Sequence, residues 1–157
     1  MPYDDESQRI YSYLLNLLNK KDYSEAELRK KCTDKGFDIS KVEPEIESLQ
    51  TKNWQNDKRL AENIVLFYST TRGPNWISQK LKLRLIPNEI ITEVLQSSEQ
   101  CDDNSFDQIR QIVERKYRII EWNNIDIKTQ NKVVYFLQYR GYNNVFSILQ
   151  NWKNNSQ

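Results

Sequence analysis

Apolar residues recur at helical spacing along almost the whole of this chain. Ile10, Leu14, Leu17 and Leu18 share one helix face, and so do Ile39, Val42, Ile46 and Leu49. Further groups are Ala61, Ile64, Val65 and Tyr68; Ile77, Leu81 and Leu85; Ile91, Val94 and Leu95; Ile109, Val113, Tyr117 and Ile120; Val133 and Leu137; Val145, Leu149 and Trp152. The i, i+3, i+4, i+7 rhythm predicts amphipathic helices, and no segment alternates as a half-buried strand does. The expected fold is all-α, with about nine short helices.

Polar residues at the edges of these stripes set the helix ends. In Tyr23-Ser24-Glu25-Ala26-Glu27-Leu28, Ser24 accepts from the Glu27 amide and Glu27 reaches back to Ser24, with Tyr23 and Leu28 as a hydrophobic staple. Ser40 with Glu43 reads as a second box of this kind, and Asn56 and Asp126 as N-caps. Gly73-Pro74 places proline at a first helical position, where its missing N–H is not needed. Gly36 and Gly141 stand just past helix ends, each followed by an aromatic residue, Phe37 and Tyr142. That order marks a left-handed C-terminal cap with an apolar plug.

The same markers reveal an internal repeat. Stepping back four and eight residues from Gly36 gives Cys32 and Leu28; from Gly141 it gives Leu137 and Val133; from Leu85 it gives Leu81 and Ile77. Three tandem three-helix units are expected, over residues 1–53, 54–98 and 99–157, with a polar connecting loop at 97–105. Units that bury leftover apolar surface against their neighbours predict an elongated, curved molecule. Leucine at position 85 is costly at positive φ, so the second middle helix is expected to end differently from the other two.

Composition narrows the possible chemistry. The chain has 157 residues, 38% hydrophobic and 29% charged, with 23 Lys and Arg against 22 Asp and Glu. Near-zero net charge provides no global attraction to nucleic acid or anionic membranes. Histidine is absent, which excludes His-based acid–base catalysis, Ser-His-Asp and Cys-His nucleophiles and His-ligated metal. Cys32 and Cys101 form no CxxC pair, in keeping with a reducing compartment. Asp4-Asp5 and Asp102-Asp103 sit in polar stretches and read as solvated, and no Gly-rich phosphate loop is present. The acidic N-terminus lacks signal-peptide features, and no apolar run is long enough to span a bilayer. A cytoplasmic, monomeric binding protein is expected, neither an enzyme nor a cofactor protein and with no membrane partner.

Ser24 through Phe37 is similar to the pattern S-x-x-E-L-x-x-K-L-x-x-K-G-F, and Trp54 through Ala61 to L-[ND]-D-x-x-F-A. In these segments the chain resembles the RecX family of bacterial regulatory proteins. Arg72-Gly73-Pro74 with Ile77 and Leu81 resembles R-G-P-x-x-I-x-x-x-L, and Lys132, Leu137 and Arg140-Gly141-Tyr142 resemble K-x-x-x-x-L-x-x-R-G-[FY]. The likeness covers nearly the whole chain. Leu85 stands where the family usually has glycine, and the last helix starts about one residue early, at Asn143-Asn144. The resemblance implies a protein that binds the recombinase RecA, both free and as the filament on single-stranded DNA. It further implies binding in the filament groove and inhibition of the ATPase, strand-exchange and co-protease activities.

The candidate partner-binding residues are basic and lie off the apolar stripes: Arg29, Lys30, Lys31, Lys35, Arg72, Lys80, Lys82, Arg84, Arg115, Lys116, Lys132 and Arg140. Each also reads as part of a solvated helix face with an i, i+4 partner, such as Lys31 with Glu27. Tyr68, Tyr117, Phe146 and Trp152 fall on core stripes, whereas Trp76, Tyr135 and Tyr139 lie beside them and suit an interface. Direct, weak DNA binding by three-helix units of helix-turn-helix type is the alternative reading.

Overall fold

The computed structural model describes residues 4–98 and 106–155. Among them are nine α-helices and no strand. In chain order they are α1 (Asp5–Lys20), α2 (Glu25–Asp34), α3 (Ile39–Thr51), α4 (Asp57–Tyr68), α5 (Pro74–Leu83), α6 (Asn88–Ser98), α7 (Asp107–Tyr117), α8 (Ile127–Tyr139) and α9 (Val145–Asn154). A one-turn 3-10 helix, Trp122–Asn124, stands between α7 and α8. Of the expected 97–105 loop, Ser97 and Ser98 close α6; the remainder, with Cys101, lies outside the described residues.

The chain forms two compact units, one made of residues 1–63 and 81–94, the other of 64–80 and 95–157. In the first, Ile10, Leu14, Leu28, Cys32, Val42, Ile46 and Leu49 build the core, and Tyr23 and Phe37 close it. In the second, Ile109, Val113, Val133, Leu137, Leu149 and the Trp122–Trp152 ring pair form the core. Each is the buried stripe of helices whose other faces are polar, so apolar burial orders both units.

The caps follow local chemistry. Ser24 and Glu27 form the reciprocal box, at 3.1 and 2.9 Å. Asn56 accepts from the Arg59 amide and Asp126 from the Thr129 amide. The second expected box does not form. α3 starts one residue before Ser40, and Asp38 caps it by accepting from the Ser40 amide, which frees Glu43 to pair with Arg29.

All three middle helices end alike. The amides of Phe37, Ile86 and Tyr142 donate to the carbonyls of Cys32, Leu81 and Leu137, and the residue before each donates to Thr33, Lys82 and Gln138. This is the paired hydrogen bonding of a left-handed cap. Gly36 and Gly141 both have φ +91°, and Leu85 has φ +58°. The expectation that Leu85 would force a different ending is therefore incorrect: burial of Leu81 and Ile86 on either side holds the same cap. Two other readings also fail. Arg118 turns left-handed and ends α7, which leaves Ile120 95% exposed, and Phe146 points outward at 68% exposure while Val145 and Ile148 take the core places on α9. α9 starts at Val145, and its N-cap Asn144 has φ +53°, a conformation asparagine tolerates.

Candidate functional site

Two dipeptides of the same kind, Arg72-Gly73 and Arg140-Gly141, meet in the second unit. Gly73 stands just before α5 and Gly141 just past α8. The Gly73 amide donates to the Arg140 carbonyl at 2.8 Å, and the Asn75 amide donates to the Gly141 carbonyl at 3.0 Å. Two carbonyls unpaired at the C-terminus of α8 thus satisfy two amides unpaired at the N-terminus of α5, and the opposed ends of the two helix dipoles meet. A side chain on either glycine would intrude. A Cβ on Gly73 would overlap the Gly141 backbone, and one on Gly141 would overlap Trp76. Asn75 and Asn143 join side chains beside this crossing.

The crossing also gathers charge. Arg72 and Arg140 both donate to the Thr71 carbonyl, at 3.1 and 3.3 Å. The Arg72 guanidinium lies over the Trp76 ring, and that of Arg140 lies over Phe136. Lys116 also sits over Phe136, 4.9 Å from its centre. The Tyr142 hydroxyl is buried without a hydrogen-bond partner, and burial raises its pKa to about 12, with the Arg72 charge pulling the other way. Next to Phe136 on α8, Tyr135 and Tyr139 are 72% and 79% exposed, as their places beside the stripe suggested. Lys128 and Lys132 are exposed on the same helix.

The other candidates divide by environment. Arg29 is held by Glu25 and Glu43. Arg84 pairs with Glu27 at 3.0 Å, where the two side chains are 20% and 18% exposed, and it also donates to the Asp22 carbonyl. Glu27 therefore serves the α2 cap and Arg84, and the expected Glu27–Lys31 pair gives way to Lys31 over Tyr23. Lys35 lies over Tyr13, and Lys80 over Tyr68. Lys30, Lys82 and Arg115 are exposed. The structure thus brings together Arg72, Lys116 and Arg140 around the end of α8, leaves Lys132 exposed earlier on that helix, and uses Arg29 and Arg84 as internal ties. Sequence reasoning missed the Thr71 carbonyl and the Phe136 ring, although the doubled Arg-Gly dipeptide was a usable signal.

Among the described residues, no group of three or more Cys, Asp or Glu side chains is placed to hold a metal. No helix there is long and apolar enough to cross a membrane. No family model matches the chain.

Curated relatives do match. A protein named "Regulatory protein RecX" from Haemophilus ducreyi is 36% identical over 140 residues, covering 88% of both chains. This chain belongs to the RecX family. A RecX protein of Actinobacillus pleuropneumoniae is 37% identical over the same length and coverage. The fold is shared as well: the crystal structure of RecX from Lactobacillus salivarius superposes with a TM-score of 0.80 at 19% identity, over 96% of this chain and 97% of that one. A second RecX crystal structure gives a TM-score of 0.72 at 21% identity, over 94% of this chain and 72% of that one. The all-α fold expected from the stripes is the RecX fold.

Proposed function

We propose that this protein regulates the recombinase RecA by binding it, both free and as its filament on single-stranded DNA. On this reading it occupies the filament groove and lowers the ATPase, strand-exchange and co-protease activities, without catalysing a reaction itself. The observation that carries the reading is the match to curated RecX proteins over 88% of both chains.

The residues supply a physical route. Three units, 1–53, 54–98 and 99–157, each offer exposed cations: Lys30 and Lys35, then Lys82, then Arg115 and Lys132. Contact with two or more RecA subunits raises the effective concentration of every further contact, and it restrains the subunit motion that nucleotide turnover needs. The enzyme's own nucleotide pocket stays open in such a mechanism.

The test is titration of the protein, acting as a monomer, into RecA on single-stranded DNA while ATP hydrolysis is followed. Hydrolysis should fall with a saturating dose. An unchanged rate at excess protein refutes the proposal.

A further inference from the structure

Leu66 and Phe67 lie in the last turn of α4, in the second unit, and are 75% and 73% exposed. Ile64 and Val65, just before them, fill the buried stripe of the same helix. The outward face of such a helix is ordinarily polar. Two adjacent bulky apolar side chains left in water there, continuous with further rings, mark a surface that another molecule covers.

The rings continue the patch. Phe67 meets Tyr68 edge-on at 4.8 Å, and Tyr68 packs on Trp76 of α5 at 4.7 Å. The Arg72 guanidinium stands 5.1 Å from the centre of the Trp76 ring, and the Lys80 ammonium 6.0 Å from that of Tyr68. Tyr68 and Trp76 are half-buried, so this row of rings is held in place before a partner arrives, and little freedom is lost on docking. The charge beside it is uncompensated. No Asp or Glu occurs from Asn63 to Asn88, and neither Arg72 nor Lys80 takes part in an ion pair among the described residues. Glu62, one turn before Leu66, lies in the field of Lys58.

We infer that Leu66, Phe67 and Trp76 anchor a protein-docking surface that takes a partner segment with a bulky apolar side chain flanked by carboxylates. The apolar side chain packs against Leu66 and Phe67, and the carboxylates face Arg72 and Lys80. Aromatic residues and arginine are enriched at protein interfaces and lead among their energetic anchors. Unpaired cations select an acidic segment and repel a basic one. A nucleic acid would use the rings and the cations but gains nothing from the aliphatic Leu66. The inference rests on the RecA reading, since RecA is the partner taken to carry this segment.

The test measures affinity of the full chain for DNA-free RecA by interferometry across a salt series. Leu66→Gln with Phe67→Gln keeps good helix formers on α4 and should weaken binding about ten- to a hundredfold, with the urea midpoint of the variant unchanged. Leu66→Met with Phe67→Leu removes the ring but keeps apolar bulk, and should stay within about threefold of wild type. Lys80→Gln should weaken binding less and make it less sensitive to salt. If wild-type protein does not bind RecA, this inference and the RecA proposal fall together. If wild type binds and the double Gln variant stays within twofold of it, this inference alone falls. A Met–Leu variant as weak as the double Gln variant, or an equal loss of affinity for bare oligo-dT in the double Gln variant, would overturn it in favour of base stacking. An unchanged salt response in Lys80→Gln would overturn the acidic character of the segment.

Discussion

Gly73→Ala separates a close backbone approach from every other role a glycine can play. Gly73 lacks the positive φ of Gly36 and Gly141, so alanine strains nothing by its own backbone angles. Its Cβ would overlap the carbonyl of Gly141 and the amide of Tyr142, which forces α5 and the end of α8 apart. Two hydrogen bonds are then lost or stretched, Gly73 to Arg140 and Asn75 to Gly141, each worth about 0.5–1.5 kcal/mol. The displacement resembles overpacking, about 1–3 kcal/mol. Reduced freedom of the unfolded chain returns about 0.4–1 kcal/mol. The net loss is about 2–4 kcal/mol. Gly36→Ala supplies the contrast: it has positive φ but nothing within reach of a Cβ, so it should cost about 1 kcal/mol. Urea unfolding followed by circular dichroism compares the two. With a slope of about 2 kcal/mol per molar, Gly73→Ala should lower the midpoint by about 1–2 M and Gly36→Ala by about 0.5 M. Equal shifts would mean that the helix ends do not meet as described.

Leu85→Gly should leave stability within about 1 kcal/mol of wild type, because relief of about 1–2 kcal/mol at positive φ is offset by lost side-chain packing and by the greater freedom of an unfolded glycine; a loss above about 2 kcal/mol in the same urea assay would show the leucine to be a packing residue. Arg84→Ala should cost about 1–3 kcal/mol through its bonds to Glu27 and Asp22, whereas Lys82→Ala should stay within about 0.5 kcal/mol. In the RecA ATPase assay, Lys80→Ala with Lys82→Ala should therefore weaken inhibition without loss of fold, and unchanged inhibition at wild-type dose would remove this helix from the RecA contact. Stability should also depend on pH at both extremes. Lys41 holds Asp4 and Glu6, Arg29 holds Glu43, and the hydroxyls and amides of Ser40 and Thr129 hold Asp38 and Asp126, each below its usual carboxylate range. The unfolded chain then binds protons first, so their contribution is complete above about pH 5 and is lost as pH falls through about 4 and below. Burial raises the Cys32 thiol to about 11 and the Tyr142 phenol to about 12. The unfolded chain therefore loses these protons first, and stability should fall as pH rises above about 9. Thermal melts from pH 3 to 10.5 check both limbs, and a flat profile refutes the pairing.

Much of this fold was legible because its determinants are local. Helix periodicity, the Ser24–Glu27 box, the Asp126 cap and the glycines past α2 and α8 all act within a few residues, and sequence places such neighbours with certainty. The repeat was visible for the same reason, since Leu28, Cys32, Val133 and Leu137 all lie at fixed offsets from their glycines. Where two local signals competed, the sequence did not choose. Asp38 and Ser40 are both good caps, and only the start of α3 decided between them. Leu85 shows the limit more sharply: its intrinsic preference argues against positive φ, and burial of its neighbours overrides it. Ile120 and Phe146 fit an extrapolated stripe but fall outside the core. A left-handed turn at Arg118 redirects the chain before Ile120, and the entry of α9 at Asn144 turns Phe146 outward.

The candidate surface was legible only in parts. Every cation at the end of α8 was visible in the chain, as were the two exposed tyrosines. Which cations are free is a different matter, since Arg29 and Arg84 are tied by carboxylates at Glu43 and Glu27, 14 and 57 residues away in the chain. The meeting of Arg72 with Arg140 across 68 residues is likewise a product of packing alone. Sequence by itself determined the helices, most of their ends and the charges they carry, because those depend on near neighbours. Tertiary structure decided which charges face each other, because that depends on how two helix ends dock through a pair of glycines with no side chains to hold them apart.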